Sequence, residues 1–234
     1  MPPSSSATSA ALSGTRTKQV PNAGGYSVSA PDATAKCWRH WLLAHAAGHC
    51  NDAILASMLA SQYAGLGAMP DCLGLSHEAF KQLIADHFPT LKQTELAQPG
   101  RQLDPERADE RDELVRLLLK RPDEGSNAVS DRPAPSLFSS VPQPSQQQHW
   151  MAEIVAAGCM GSDHLWQDLG LRNRTELSRL MEQNFPALAQ RNTGDMKWKR
   201  FLYKQLCEAE GIYSCRSPSC EVCVDYHACF GPEN

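Results

Sequence analysis

The apolar positions of this chain fall into helical stretches, set apart by proline, glycine and serine punctuation. Trp38, Trp41, Leu42 and His45 recur at helical spacing, so the first ordered block is expected to start near Ala35. Gly48 interrupts it. A second helix should follow, with Ile54, Leu55, Met58, Leu59 and Tyr63 on one face. Ser76 is placed to cap a third, in which Phe80, Leu83, Ile84 and His87 align before Pro89 ends it. Asp104-Pro105-Glu106 then joins a capping acid, a proline in the first turn and a further acid at the positive end of the helix dipole. That helix carries Leu114, Leu117 and Leu118 toward Lys120-Arg121, with Pro122 just beyond. The pattern resumes at Trp150 and continues through Leu177, Leu180 and Met181. A last helix places Trp198, Phe201, Leu202 and Leu206 together. No run alternates β-branched residues as a half-buried strand would, so the expected fold class is mainly α.

From Pro122 to Gln148 the text becomes PDEGSNAVSDRPAPSLFSSVPQPSQQQ, a Pro/Ser/Gln-rich linker without periodicity. An internal similarity flanks it. Leu73-Gly74-Leu75 leads through a helix to Phe88-Pro89-Thr90-Leu91, and Leu169-Gly170-Leu171 leads to Phe185-Pro186-Ala187-Leu188 with one extra residue between. Each follows a small-residue helix, LASMLAS in one and AEIVAAG in the other. Two such units suggest a duplication packed as a pseudo-symmetric helical pair. The plainer reading is that LGL and FP are common helix-boundary words. The expected organisation is a disordered leader (1–34), an N-terminal helical unit (35–121), a flexible linker (122–148), a C-terminal helical unit (149–209) and a Cys-rich tail (210–234).

At 234 residues the chain can bury a real core, and its 41% hydrophobic and 21% charged residues are those of an ordinary soluble protein. The net charge of −4 gives no general pull toward nucleic acid. No apolar run approaches the roughly 20 residues a membrane helix needs. The N-terminal MPPSSSATSAALSGTRTKQ lacks the apolar core of a secretory signal. Five of nine cysteines crowd between Cys207 and Cys229, whereas a secreted disulfide scaffold spreads an even set through its fold. Clustering of this kind points to a metal site in a reducing compartment, so the expected localisation is cytoplasmic. The nucleophile-elbow, P-loop, dinucleotide and H-E-x-x-H words of common enzymes are missing from the sequence, and a catalytic role is not expected.

The tail GIYSCRSPSCEVCVDYHACFGPEN spaces four cysteines as C-x4-C-x2-C-x5-C: Cys215, Cys220, Cys223 and Cys229. Thiolates so close in sequence can surround one centre with little loop-closure entropy. As soft donors they select zinc, Cu(I) or iron–sulfur clusters. Structural zinc usually takes two short knuckles set well apart. One C-x2-C with a single cysteine on either side is closer to cluster binding, where ligands reach several irons. Ser217, Ser219 and Arg216 could temper the charge on sulfur.

The stretch MKWKRFLYKQLCEAEGIYSCRSPSCEVCVDYHACFGPE resembles the C-terminal signature of the NifQ family of nitrogen-fixation proteins. HWLLAHAAGHCNDAILASMLASQYAGLG and LGLRNRTELSRLMEQNFPAL are also similar to it. The resemblance covers most of residues 36–234 apart from the linker. It implies a carrier: an iron–sulfur cluster on Cys215, Cys220, Cys223 and Cys229 takes up molybdenum to form a Mo–Fe–S species. It further implies that molybdenum, arriving as molybdate or a sulfur-ligated form, passes to the NifEN scaffold acting with NifH, which build the iron–molybdenum cofactor. Three thiolates suffice for the irons of a cubane carrying one molybdenum. The fourth can hold molybdenum or close the empty corner, with His227 or water as a further ligand.

Plainer readings stand beside these. The tail could be a zinc-stabilised interaction element on a helical protein. Cys207, on the last helix, is a spare ligand or a packed helix cysteine. Cys37, Cys50, Cys72 and Cys159 are expected as small core residues. His40, His45 and His49, near Cys50 and Asp52, make either a metal or oxyanion site or a polar helix face. Lys197, Lys199, Arg200 and Lys204, beside Trp198 and Tyr203, are expected as a solvated face or a dock for an acidic partner.

Overall fold

A computed structural model describes residues 31–91, 100, 102–120 and 143–209. Among the described residues the regular structure is helical: α1 (Pro31–Ala44), α2 (Asp52–Tyr63), α3 (His77–His87), α4 (Ala108–Leu119), α5 (Gln146–Cys159), α6 (Leu165–Asp168), α7 (Arg174–Asn184), α8 (Pro186–Ala189) and α9 (Trp198–Ala209). Short 3-10 turns precede α3 (Asp71–Gly74) and α4 (Pro105–Arg107).

Several starts follow the sequence signals. Ser76 Oγ accepts the Ala79 N–H at 3.2 Å, and Asp104 Oδ1 accepts that of Glu106 at 3.0 Å. Phe80, Leu83, Ile84 and His87 are all buried on α3, as are Leu114, Leu117 and Leu118 on α4. Two starts come earlier than the periodicity suggested. α1 opens at Pro31 rather than near Ala35; a proline in the first turn gives up no intrahelical bond, because the first N–H groups have no partner there. α5 opens at Gln146, inside the stretch expected to be linker. A capping box explains it: Ser145 Oγ accepts the Gln148 N–H at 3.2 Å, and Gln148 Oε1 accepts the Ser145 N–H at 2.9 Å.

α2 departs most from its sequence reading. One apolar face was expected, yet every residue from Ile54 to Ser61 is buried, with Asp52 beside them. Ala56, Ser57, Ala60 and Ser61 are small enough for neighbours to approach on every side. α1 covers one side, where Trp38 stacks on Tyr63 with ring centroids 4.0 Å apart and Arg39 Nε donates to Ser57 Oγ at 2.9 Å. Fully burying a leucine such as Leu55 or Leu59 stabilises the fold by about 1.5–3 kcal/mol, so this helix is a main seat of stability.

Contacts between the first and second stretches of helix run both ways. Gly74 has φ +84°, and a Cβ there would lie 2.6 Å from the Ala157 Cβ of α5. Gly170 has φ +71°, and a Cβ there would lie 2.6 Å from the Ser61 Cβ of α2. Ser61 Oγ also donates to the Gly170 carbonyl at 2.6 Å. Each Leu-Gly-Leu word thus sets its glycine against a helix on the far side of the 121–142 stretch. α4 packs along α5 and touches α9, so the last helix is held by elements from both stretches. No helix among the described residues is long and apolar enough to cross a membrane.

Candidate functional site

Cys215, Cys220, Cys223, Cys229 and His227 lie outside the described residues. What is described is the helix that leads to them. α9 buries Trp198, Phe201 and Leu202, as its spacing predicted, and polar bonds fix it at several levels. Trp198 Nε1 donates to Ser178 Oγ at 3.1 Å. Lys199 Nζ donates to Asp168 Oδ2 at 2.7 Å and to the carbonyls of Asp163 (2.7 Å) and Gly161 (3.1 Å). The Tyr203 hydroxyl donates to Glu110 Oε1. Arg107 holds the same carboxylate with two bonds of 2.7 Å and the Met160 carbonyl with a third of 3.0 Å.

Burial shapes the ionisation of these groups. It raises the Asp168 carboxyl above its usual range, and the Lys199 ammonium only partly offsets this. The hydrogen bond to Glu110 raises Arg107. Cys159, beneath them, is pushed up to about 12 by burial.

Lys199 therefore does not belong to a solvated basic face, as its sequence neighbours implied; its side chain is only 9% exposed. A lysine among lysines reads as surface, and nothing local in the sequence marks Asp168 as its partner. Lys197 and Arg200 are half-buried, while Lys204 is exposed and 3.9 Å from Glu208. Cys207, on the last turn of α9, is half-buried. The expected core role holds for Cys72 and Cys159 and fails for Cys37 and Cys50, which are exposed, one on the outer side of α1 and the other in the turn before α2. Cys72 Sγ lies 3.4 Å from His77 Nδ1, and burial, with Asp71 adding to it, raises that thiol.

The early histidines are dispersed differently from the sequence expectation. His40 is exposed on α1. The His45 ring packs edge-on to Trp41, and its Nδ1 is bonded to Thr90 Oγ1 at 2.7 Å. His49 is exposed in the turn before α2. Asp52, the first residue of α2, gathers the turn: its Oδ2 accepts the N–H groups of Gly48 (2.7 Å) and His49 (2.8 Å). Its Oδ1 lies 2.6 Å from His87 Nδ1. His87, at the end of α3 and 1% exposed, also accepts the Ala47 N–H on its carbonyl at 2.9 Å. The His49 and His87 rings are 5.3 Å apart, inclined at 75°. Sequence reasoning placed His87 on a core face and missed this role; its one signal was a polar residue in line with Phe80, Leu83 and Ile84. Among the described residues, no three His, Cys, Asp or Glu side chains converge as a metal-binding group.

The NifQ family profile matches residues 54–231. Protein NifQ of Azotobacter vinelandii is 43% identical over 189 residues, covering 76% of this chain and 87% of that protein. Protein NifQ of Rhodobacter capsulatus is 33% identical, with coverage of 77% and 87%. A Protein NifQ homolog of Sinorhizobium fredii is 34% identical, with coverage of 76% and 69%. No solved structure matches the chain.

Proposed function

The chain belongs to the NifQ family, and on that premise we propose that it is an iron–sulfur molybdenum carrier serving nitrogen fixation. It would donate molybdenum for assembly of the nitrogenase iron–molybdenum cofactor. The observation that carries this reading is the C-x4-C-x2-C-x5-C array of Cys215, Cys220, Cys223 and Cys229, which lies within the span matched to the family.

The donor set fits the group. Four thiolates are the usual protein ligands of an iron–sulfur cluster, and their compact spacing suits ligands reaching several irons around one centre. When bound, the cluster supplies sulfide-bridged iron to which molybdenum can be added as cargo. The chain's own part is to hold that assembly by its thiolates and to spare one of them, with His227 or water, for a metal that takes more than four ligands. Lys199, Tyr203 and Trp198 fix α9 against the helical body, which gives the cysteine segment a rigid root. The role is that of a metallochaperone with no catalytic step, working in the cytoplasm. The acceptor would be the NifEN scaffold with NifH, and the supply molybdate or a sulfur-ligated molybdenum species.

Metal and acid-labile sulfide analysis of protein purified without oxygen from molybdate-fed cells tests this. Iron, sulfide and molybdenum together are the expected result. Zinc alone, with neither iron nor sulfide after anaerobic reconstitution, would overturn it in favour of a zinc-stabilised tail.

A further inference from the structure

We propose that His49 and His87, with Asp52 behind them, form a binding site for a divalent transition-metal cation of the zinc, nickel or cobalt class, separate from the C-terminal cysteines. It does not depend on the molybdenum reading.

The donor chemistry begins with Asp52. Both of its oxygens are engaged, Oδ2 by the N–H groups of Gly48 and His49 and Oδ1 by His87. An ionised carboxylate can only accept, so Nδ1 of His87 carries the proton in this bond. That leaves the Nε2 lone pair of the neutral ring as the donor. A carboxylate on the far nitrogen is the usual arrangement behind a metal-binding histidine: it fixes the tautomer, orients the ring and strengthens the donor. Burial holds the ring in place, His87 being 1% exposed, together with its bond to Asp52.

His49 supplies the second donor. Its backbone is tied to the same carboxylate, while its ring is exposed and its ring nitrogens make no hydrogen bond among the described residues. The centroid spacing of the rings, within the range of edge-to-face packing, also leaves room for joint ligation. With Zn–N bonds of about 2.1 Å, each ring centroid stands about 3.2 Å from the metal, and a tetrahedral angle then sets the centroids about 5.2 Å apart. The observed separation is 5.3 Å. Imidazole suits these cations. No third side chain of the described residues converges here, so water or an exchangeable ligand fills the remaining positions.

The test is titration of the metal-free full chain with nickel chloride, followed by the ring-proton resonances of the histidines. Paramagnetic Ni2+ should broaden His49 and His87 selectively at or below one equivalent. His49→Ala, at an exposed position, should weaken this binding tenfold or more with the helical circular dichroism unchanged. Asp52→Asn should weaken it by about 10–100-fold. Broadening spread equally over His40, His45 and His164, or unchanged affinity in His49→Ala, would overturn the proposal. Nickel taken up by the tail cysteines alone, leaving both rings sharp, would overturn it too and would leave the carrier reading standing.

Discussion

The side-chain amides of Asn51 and Asn184 bond to each other in both directions, Asn51 Nδ2 to Asn184 Oδ1 at 2.8 Å and Asn184 Nδ2 to Asn51 Oδ1 at 3.0 Å. Gln183 Nε2 adds a third bond to Asn51 Oδ1 at 2.9 Å. Both asparagines are almost fully buried, at 1% and 5% exposure. Replacing Asn184 with Leu would strand the Asn51 amide and should destabilise the protein by about 2–3 kcal/mol. The double change to Leu should cost less than the sum of the two single changes. Urea unfolding of the four proteins measures the coupling, and strict additivity would mean that the pair bears no shared load.

Lys199 and Asp168 form a buried ion pair, and the same logic applies with larger stakes. Lys199→Met leaves a carboxylate without its partner and should cost about 3–5 kcal/mol. Pairing it with Asp168→Leu should recover most of the loss, because two well-packed apolar groups need no desolvation. Thermal and urea unfolding distinguish this from a role limited to packing, in which the double variant would be the less stable.

Cys159 offers a pH test. Its pKa rises from 9.0 to about 12 in the folded chain. A thiol held above its unfolded value contributes stability that is fully present below pH 9 and is lost as the pH climbs toward the folded value. Stability should therefore fall between pH 9 and pH 12, with a shallower slope in Cys159→Ala. In the native protein a thiol reagent should reach Cys37 and Cys50 quickly, but Cys72 and Cys159 only on unfolding.

Gly74→Ala and Gly170→Ala should each destabilise by at least 1 kcal/mol or so, since each combines a left-handed backbone with a Cβ clash. Ala157→Gly should relieve part of the Gly74→Ala penalty by removing the atom it meets. Indifference of Gly74→Ala to Ala157→Gly would show that backbone conformation alone sets the cost.

Cys220→Ser is predicted to abolish retention of iron, sulfide and molybdenum after anaerobic purification, while the far-ultraviolet circular dichroism stays within error of the parent. A variant that keeps its molybdenum would show that this cysteine is dispensable to the carrier.

Local chemistry in the sequence told most of the helical story. Ser76, Asp104 and the aligned Phe80, Leu83 and Ile84 each announce an element through a neighbour a few residues away, and those elements formed as expected. The failures share a different cause. α2 looked amphipathic because Ala and Ser score as indifferent, yet small residues are what a helix surrounded on all sides requires. The glutamines at 146–148 looked like linker until the capping box with Ser145 is considered. Lys199 and His87 took their roles from Asp168 and Asp52, partners that only tertiary folding brings near. The reading of the cysteine array as a metal site rests on spacing within the chain, and its residues lie outside the described ones.

The crossed seating of Gly74 on α5 and Gly170 on α2 ties together the inheritance of segments far apart in the chain. Neither turn can accept a bulkier residue unless a helix across the 121–142 stretch yields room, so drift in one must be answered in the other. A chimera that takes residues 143–209 from a relative would bring a helix fitted to that relative's turn. It would fold well only if the turn at 71–74 came with it.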